Sequence, residues 1–190
     1  DVNNDGYADF IVGATYSSSS NSPGRAGGAY VFLGGPDGPH SVPDWRFVGD
    51  VADSKTGFSV AAAGDVNNDG YDDVIVGAPN YGSFDYGRAY VYHGSSAGVS
   101  TTASKTLTGA SYYNYFGYAV GGGGDINGDG YSDVIVGAYG YDSGYFSYDY
   151  GRIYVYYGSS SGTSTTSPTT LTGSNSYDYF GAAVANAGDL

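Results

Sequence analysis

Three short apolar runs, FIVGA at 10–14 and VIVGA at 74–78 and 134–138, stand out from a chain that is otherwise polar and rich in glycine. They are β-branched, five residues long and closed by Gly-Ala, which predicts buried strands rather than helices. A second set, AYVF, AYVY and IYVY, alternates in character and places its tyrosines at 30, 90 and 154. A third is built of small residues, as in FGYAVGGGGD and FGAAVANAGD, and leads back toward the next apolar run. Short strands at Thr106 to Gly109 and Thr170 to Gly173 complete the pattern.

The pattern repeats. Asp1, Asp65, Asp125 and Asp189 are equivalent and lie 64, 60 and 64 residues apart, and each tyrosine of the alternating set precedes the next of these aspartates by 35. The length variation falls in one hairpin, which is four residues shorter in the middle unit. Four antiparallel strands per roughly 60 residues predict an all-β chain of β-propeller blades, since radial stacking is one way such a chain protects its edges. The units run 1–64, 65–124 and 125–188, with a fourth beginning at Asp189. Composition agrees: there is no Glu, Gln, Met or Cys and there are four Leu, against 34 Gly and 23 Tyr, so helix should be close to nil.

Each apolar run follows a loop rich in oxygen ligands. DVNNDGYAD, DVNNDGYDD and DINGDGYSD place side-chain oxygens at positions one, three, five and nine. These are Asp1, Asn3, Asp5 and Asp9; Asp65, Asn67, Asp69 and Asp73; and Asp125, Asn127, Asp129 and Asp133. Glycine at position six permits a sharp turn that brings in the backbone carbonyl of position seven, which is Tyr7, Tyr71 or Tyr131. Six to eight oxygens in flexible geometry suit Ca²⁺, so three Ca²⁺ sites are expected. An EF-hand would carry Glu at position twelve and continue as a helix; here Val12, Val76 and Val136 lie inside predicted strands. A dockerin is disfavoured on the same ground. The plain alternative is a polar hairpin turn rich in Asx and Gly.

Charge supports the metal reading. Nine of the 19 aspartates are loop ligands, and three dications would take the formal charge from −13 to −7. Six scattered Lys and Arg give no footprint for nucleic acid. Membrane insertion is not expected, because no apolar run approaches 18 residues. Calcium sites of this type point to an extracellular or cell-surface location. The chain starts on the first ligand of a motif, the pattern expected of a segment of a longer protein.

Catalysis is not expected. His40 and His93 are the only imidazoles, and neither has a repeated Ser or Asp partner. Gly121 to Gly124 lacks the Lys-Ser/Thr of a phosphate loop and reads as close backbone packing. Arg88 and Arg152 are expected to pair with a hairpin Asp or to lie against tyrosine faces. Trp45 is read as core. Segments such as YGSFDYG and YFSYDYG form either a tyrosine-lined face or stacking between blades.

Phe116-Gly117, Phe180-Gly181, the three loops, Gly77-Ala78-Pro79 and the weaker Gly137-Ala138-Tyr139 and Gly13-Ala14-Thr15 together resemble the FG-GAP repeats of integrin α-subunit β-propellers and their bacterial and archaeal relatives. The resemblance implies blades with Ca²⁺ in the hairpin between the first two strands, usually seven to a ring. Thr56-Gly57 departs from Phe-Gly, and Phe58 is expected to fill the pocket instead. Three units fall short of the ring, so neighbouring blades from a longer chain or another copy are expected partners. The function expected is noncatalytic adhesion or protein assembly, with a protein or glycan ligand at the cell surface or matrix. A glycan-binding module using the tyrosine loops, or a scaffold attached to an extracellular enzyme, are the alternatives.

Overall fold

The computed structural model describes residues 1–18, 24–142 and 148–188. Among these the chain is all-β, with no helix. It forms three antiparallel sheets. The first has three strands, β1 (Phe10–Ala14), β2 (Gly28–Phe32) and β3 (Trp45–Val48). The second orders β4 (Val60–Gly64), β5 (Asp73–Ala78), β6 (Arg88–Tyr92) and β7 (Lys105–Thr108) side by side. The third does the same with β8 (Ala119–Gly124), β9 (Asp133–Ala138), β10 (Arg152–Tyr156) and β11 (Thr169–Thr172).

Each four-stranded sheet takes its first strand from the end of one repeat and the other three from the next. The small-residue strand pairs with the following apolar run: Val60 opposes Val76, and Val120 opposes Val136. Sheets and repeats are therefore offset by one strand, so each repeat lends its last strand to the next blade and the chain itself ties the two together. Because neighbouring strands are antiparallel, connections alternate between the two ends of a sheet. The oxygen-rich loops lie at one end and the tyrosine hairpins at the other.

The cores lie between sheets. Val31 and Trp45 of the first sheet pack with Val74, Val76, Tyr90 and Tyr92 of the second. Ile75, Val91 and Leu107 of the second sheet pack with Val120, Val134, Val136 and Tyr156 of the third in the same way. The apolar runs β5 and β9 are buried as expected, whereas β1 leaves Phe10 and Val12 at 44% and 43% exposure. Among the described residues β1 pairs only with β2, so its other edge carries no hydrogen-bonded strand. Trp45 is core, and its indole Nε1–H donates to the Ser100 carbonyl at 2.8 Å.

Phe58 does not fill the pocket left by Thr56. It is 39% exposed and meets Tyr118 at a centroid distance of 4.7 Å. Thr56 is itself buried and hydrogen-bonds Ser54 at 3.0 Å. Where Phe116 packs on Tyr154 and Tyr156, the volume in the preceding interface comes from Phe47 and Trp45, which meet Tyr90 and Tyr92. A large residue on one strand has replaced a large residue on another.

The glycines of the Phe-Gly and Gly-Ala motifs meet each other. The Gly57 N–H donates to the Gly77 carbonyl at 2.8 Å, and the Gly117 N–H to that of Gly137 at 3.0 Å. A Cβ at Gly77 would overlap the Gly117 carbonyl oxygen, and one at Gly137 would overlap that of Gly181. Gly122 lies close to the backbone of Ala62 and Ala63, where a Cβ would come within 2.8 and 2.9 Å, so the glycine run serves the approach of inner strands. Gly77→Ala is expected to cost about 3 kcal/mol, because the contact is backbone and must shift. Calorimetry should show the melting temperature falling by about 6–12 °C. Gly24→Ala, where a Cβ meets nothing within 4 Å, is the matched control. Equal melting temperatures for the two variants would refute this contact as a close one.

Candidate metal centres

The three loops fold alike, and the backbone shows why. Gly6, Gly70 and Gly130 adopt φ of 90°, 91° and 90°, a left-handed turn that an L side chain resists. The turn aims successive N–H groups at the side chains preceding them. The carboxylate at position one accepts from positions five and six: Asp65 takes the N–H of Asp69 at 3.0 Å and of Gly70 at 2.7 Å. Asp1 and Asp125 repeat both bonds. The carboxamide oxygens of Asn3, Asn67 and Asn127 accept the N–H of position five, so they face into the loop. Their amide groups donate to Asp5, Asp69 and Asp129 at 2.9, 2.8 and 2.8 Å. The position-five carboxylates in turn accept the N–H of Tyr7, Tyr71 and Tyr131.

Position nine differs. Asp73 and Asp133 are fully buried, and each carboxylate clamps two distant segments. Asp73 accepts the N–H of Val66 and of Gly94, both at 2.9 Å. Asp9 does so with Val2 and Gly34, and Asp133 with Ile126 and Gly158. This residue ties the loop to the strand connection beyond β2, β6 or β10. The role is invisible in the loop motif alone. Its signal is the glycine that follows each aromatic strand, at 34, 94 and 158.

The electrostatics separate the positions too. Backbone N–H donors, chiefly those of Tyr7 and Gly130, hold Asp5 and Asp125 below the usual carboxylate range. Burial pushes Asp73 up to about 7, with the carboxylates of Asp69 and Asp65 adding to the rise and two N–H bonds opposing it. Burial raises Asp133 likewise, with Asp129 and Asp125 as its acidic neighbours. A buried carboxylate beside two others is an arrangement that a bound dication would relieve. The donor set of carboxylates and carboxamide is hard oxygen throughout and fits Ca²⁺ better than a thiophilic metal. Among the described residues, no three His, Cys, Asp or Glu side chains converge as a ready-made cluster. The acidic groups are held apart by their N–H partners, and the third and seventh donors are amide oxygens.

The loops also connect one blade to the next. The Ser95 N–H donates to the Val2 carbonyl at 3.0 Å and the Ser159 N–H to that of Val66 at 3.1 Å. Val2 and Val66 are buried against the following sheet.

A family profile described as FG-GAP repeat matches residues 1–32, 56–92 and 116–156, more than half of the chain. The chain belongs to the FG-GAP repeat family. Among its FG-GAP relatives, integrin alpha-7 of Rattus norvegicus is 40% identical over 141 residues, which is 73% of this chain and 12% of that protein. Integrin alpha-6 of Homo sapiens is 39% identical over 139 residues, 73% of this chain and 12% of the relative. Integrin alpha-5 of Xenopus laevis is 35% identical over 150 residues, with 75% and 14% covered. The chain thus spans 12–14% of the length of these curated relatives.

Other residues singled out in the FG-GAP sequence fall outside these loops or at their margin. His93 is half-buried beside the second loop, its Nδ1 3.3 Å from the amide nitrogen of Asn67. His40 pairs with Asp44 at 2.7 Å on the surface. Arg88 and Arg152 lie over Tyr81 and Tyr141, 3.5 and 3.6 Å from the ring centroids, which settles their role as tyrosine partners. Phe58, Tyr118, Tyr139, Tyr179, Tyr177 and Tyr148 form a continuous run of ring contacts at the end opposite the loops. Of the hairpin segment YFSYDYG, Tyr145, Phe146 and Ser147 lie outside the described residues, as do Asp189 and Leu190. No helix is long and apolar enough to cross a membrane among the described residues.

Proposed function

We propose that each loop binds one Ca²⁺ as a structural cofactor and that the chain is a noncatalytic, extracellular or cell-surface propeller segment serving adhesion or protein assembly. One observation carries the reading: the same circuit of N–H bonds orients the same oxygen ligands three times, each closed by a carboxylate at position nine. The ligands are the Asp, Asn, Asp and Asp side chains of positions one, three, five and nine with the carbonyl of Tyr7, Tyr71 or Tyr131. The cation neutralises the loop and holds the turn against the strand behind it. Kinship to integrin alpha subunits supports a place at the cell surface with protein partners.

Equilibrium dialysis against Ca²⁺ tests this directly. Three Ca²⁺ per chain are expected, with affinity in the range of extracellular modules, about 10⁻⁴ to 10⁻³ M or tighter. Asp69→Ala should leave two. No saturable binding at millimolar Ca²⁺ would reject the reading. A second reading, glycan binding, rests on the exposed rings of Phe84, Tyr112, Tyr113, Tyr148 and Tyr177, and a carbohydrate array separates it from the first.

A further inference from the structure

The position-nine aspartates are joined to one another through the backbone. In the second loop the Asp73 carboxylate accepts the Val66 N–H at 2.9 Å, and the carbonyl of Val66 accepts the Ser159 N–H at 3.1 Å. The adjacent Gly158 N–H donates to Asp133 at 2.9 Å, and Asp133 closes the third loop by accepting the Ile126 N–H at 2.8 Å. An unbroken line of peptide groups and hydrogen bonds thus runs from the buried carboxylate of one loop to that of the next. The first junction repeats it: Val2 donates to Asp9 at 2.7 Å and accepts from Ser95 at 3.0 Å, and Gly94 donates to Asp73 at 2.9 Å.

A shorter tie runs beside this one. Position one of a loop offers its carbonyl to the N–H of position eight in the following loop: Asp65 accepts from Ser132 at 3.0 Å and Asp1 from Asp72 at 3.2 Å. Position eight lies between the tyrosine carbonyl and the position-nine carboxylate, so the ligand backbone of one loop is registered on that of its neighbour. The relay is close and shielded from water. Val2 is 4% exposed and Val66, Asp73 and Asp133 0%. A Cβ at Gly94 would come within 2.6 Å of the Val2 carbonyl oxygen, and one at Gly158 within 2.8 Å of that of Val66. Hydrogen bonds in so dry a setting are strengthened by the low local dielectric and polarise one another along the line.

We infer that, given the calcium reading on which this rests, neighbouring loops take up Ca²⁺ cooperatively, each ordered loop setting the position-nine carboxylate of the next. Once Asp65 and Asp73 are held in the second loop, the Val66 peptide is fixed, Ser159 and Gly158 are pinned, and Asp133 is already placed for the third. The ordering cost is then met once for two sites, which is positive coupling. The same factor applies in both directions, because coupling between binding sites is reciprocal. Charge acts the other way. A second loop emptied by Asp69→Ala keeps Asp65 and Asp73 without a dication and is at least as negative as the filled loop, so attraction through space would strengthen binding next door or leave it unchanged. Weaker binding in the neighbouring loops is therefore a signature of the relay.

Calcium titration of the isotope-labelled chain, followed by NMR, reads each loop separately, because the Gly6, Gly70 and Gly130 N–H groups each donate to their own position-one carboxylate. In Asp69→Ala the calcium midpoints at Gly6 and Gly130 should rise by about fivefold or more. Asp129→Ala should raise the midpoint at Gly70 by the same factor as Asp69→Ala raises that at Gly130. Hydrogen exchange separates the relay from a general loss of stability. In Asp129→Ala, calcium should slow exchange of the Gly158 and Ser159 N–H groups at least about fivefold more than that of Gly173, which bonds Gly151 at the far end of the third sheet. Midpoints that the neighbouring variant leaves unchanged or lowers overturn the inference and leave the calcium reading standing. Equal slowing at Gly158, Ser159 and Gly173 overturns it as well, and a wild-type chain with no saturable calcium response overturns both.

Discussion

Removing calcium is expected to lower the melting temperature by roughly 20 °C. A ligand that binds only the folded state stabilises it by about 2.7 kcal/mol when present at a hundred times its dissociation constant. Three sites held at that excess contribute about 8 kcal/mol. In a chain of this size each kcal/mol moves the transition by about 2–4 °C, so the loss should fall between about 16 and 32 °C. The effect is large because the loops are acidic in themselves. Without the dications the formal charge stays at −13, and Asp73 is buried beside Asp65 and Asp69 with no cationic side chain among its charged neighbours. Scanning calorimetry in EDTA, followed by return of Ca²⁺, measures the shift and its reversal. A transition that EDTA leaves in place would mean that the N–H circuits alone hold the loops and that the metal reading is wrong.

What was legible in the sequence is what recurs within one repeat. The runs FIVGA and VIVGA, the alternating AYVY strand and the ligand spacing D-x-N-x-D-G each express a local periodicity. The observed strands fall where that periodicity puts them. What was hidden depends on contacts between repeats. The exposure of Phe10 and Val12 cannot be read from an apolar run, because burial of a strand is decided by what lies against it. The replacement of Phe116 by Phe47 and Trp45 joins residues on different strands, so inspection of Thr56 and its neighbours pointed instead to Phe58. The motif glycines were recognisable as a signature, but their purpose was not. Gly57 and Gly77 meet only once the last strand of one repeat pairs into the sheet of the next.

The position-nine aspartate is the residue in which ligand and structural roles overlap, and Asp73→Ala compared with Asp129→Ala should separate them. In Ca²⁺ both variants lose the cation of their loop, worth about 2.7 kcal/mol at a hundredfold excess. Asp129 is exposed and accepts from the Tyr131 N–H and the Asn127 amide, groups that water can satisfy in its place. Asp73 is fully buried, and its loss leaves the N–H groups of Val66 and Gly94 without acceptors, at about 1–3 kcal/mol each. Part of that cost is offset, since burial opposes the charge of Asp73 and its removal relieves repulsion from Asp65 and Asp69. The net penalty beyond the lost cation should therefore be about 1–3 kcal/mol, or about 2–12 °C. In EDTA, Asp129→Ala should melt with the wild type, while Asp73→Ala should still melt several degrees lower. If the two variants coincide in EDTA, the Val66 and Gly94 bonds add nothing to stability, and position nine is a ligand and no more.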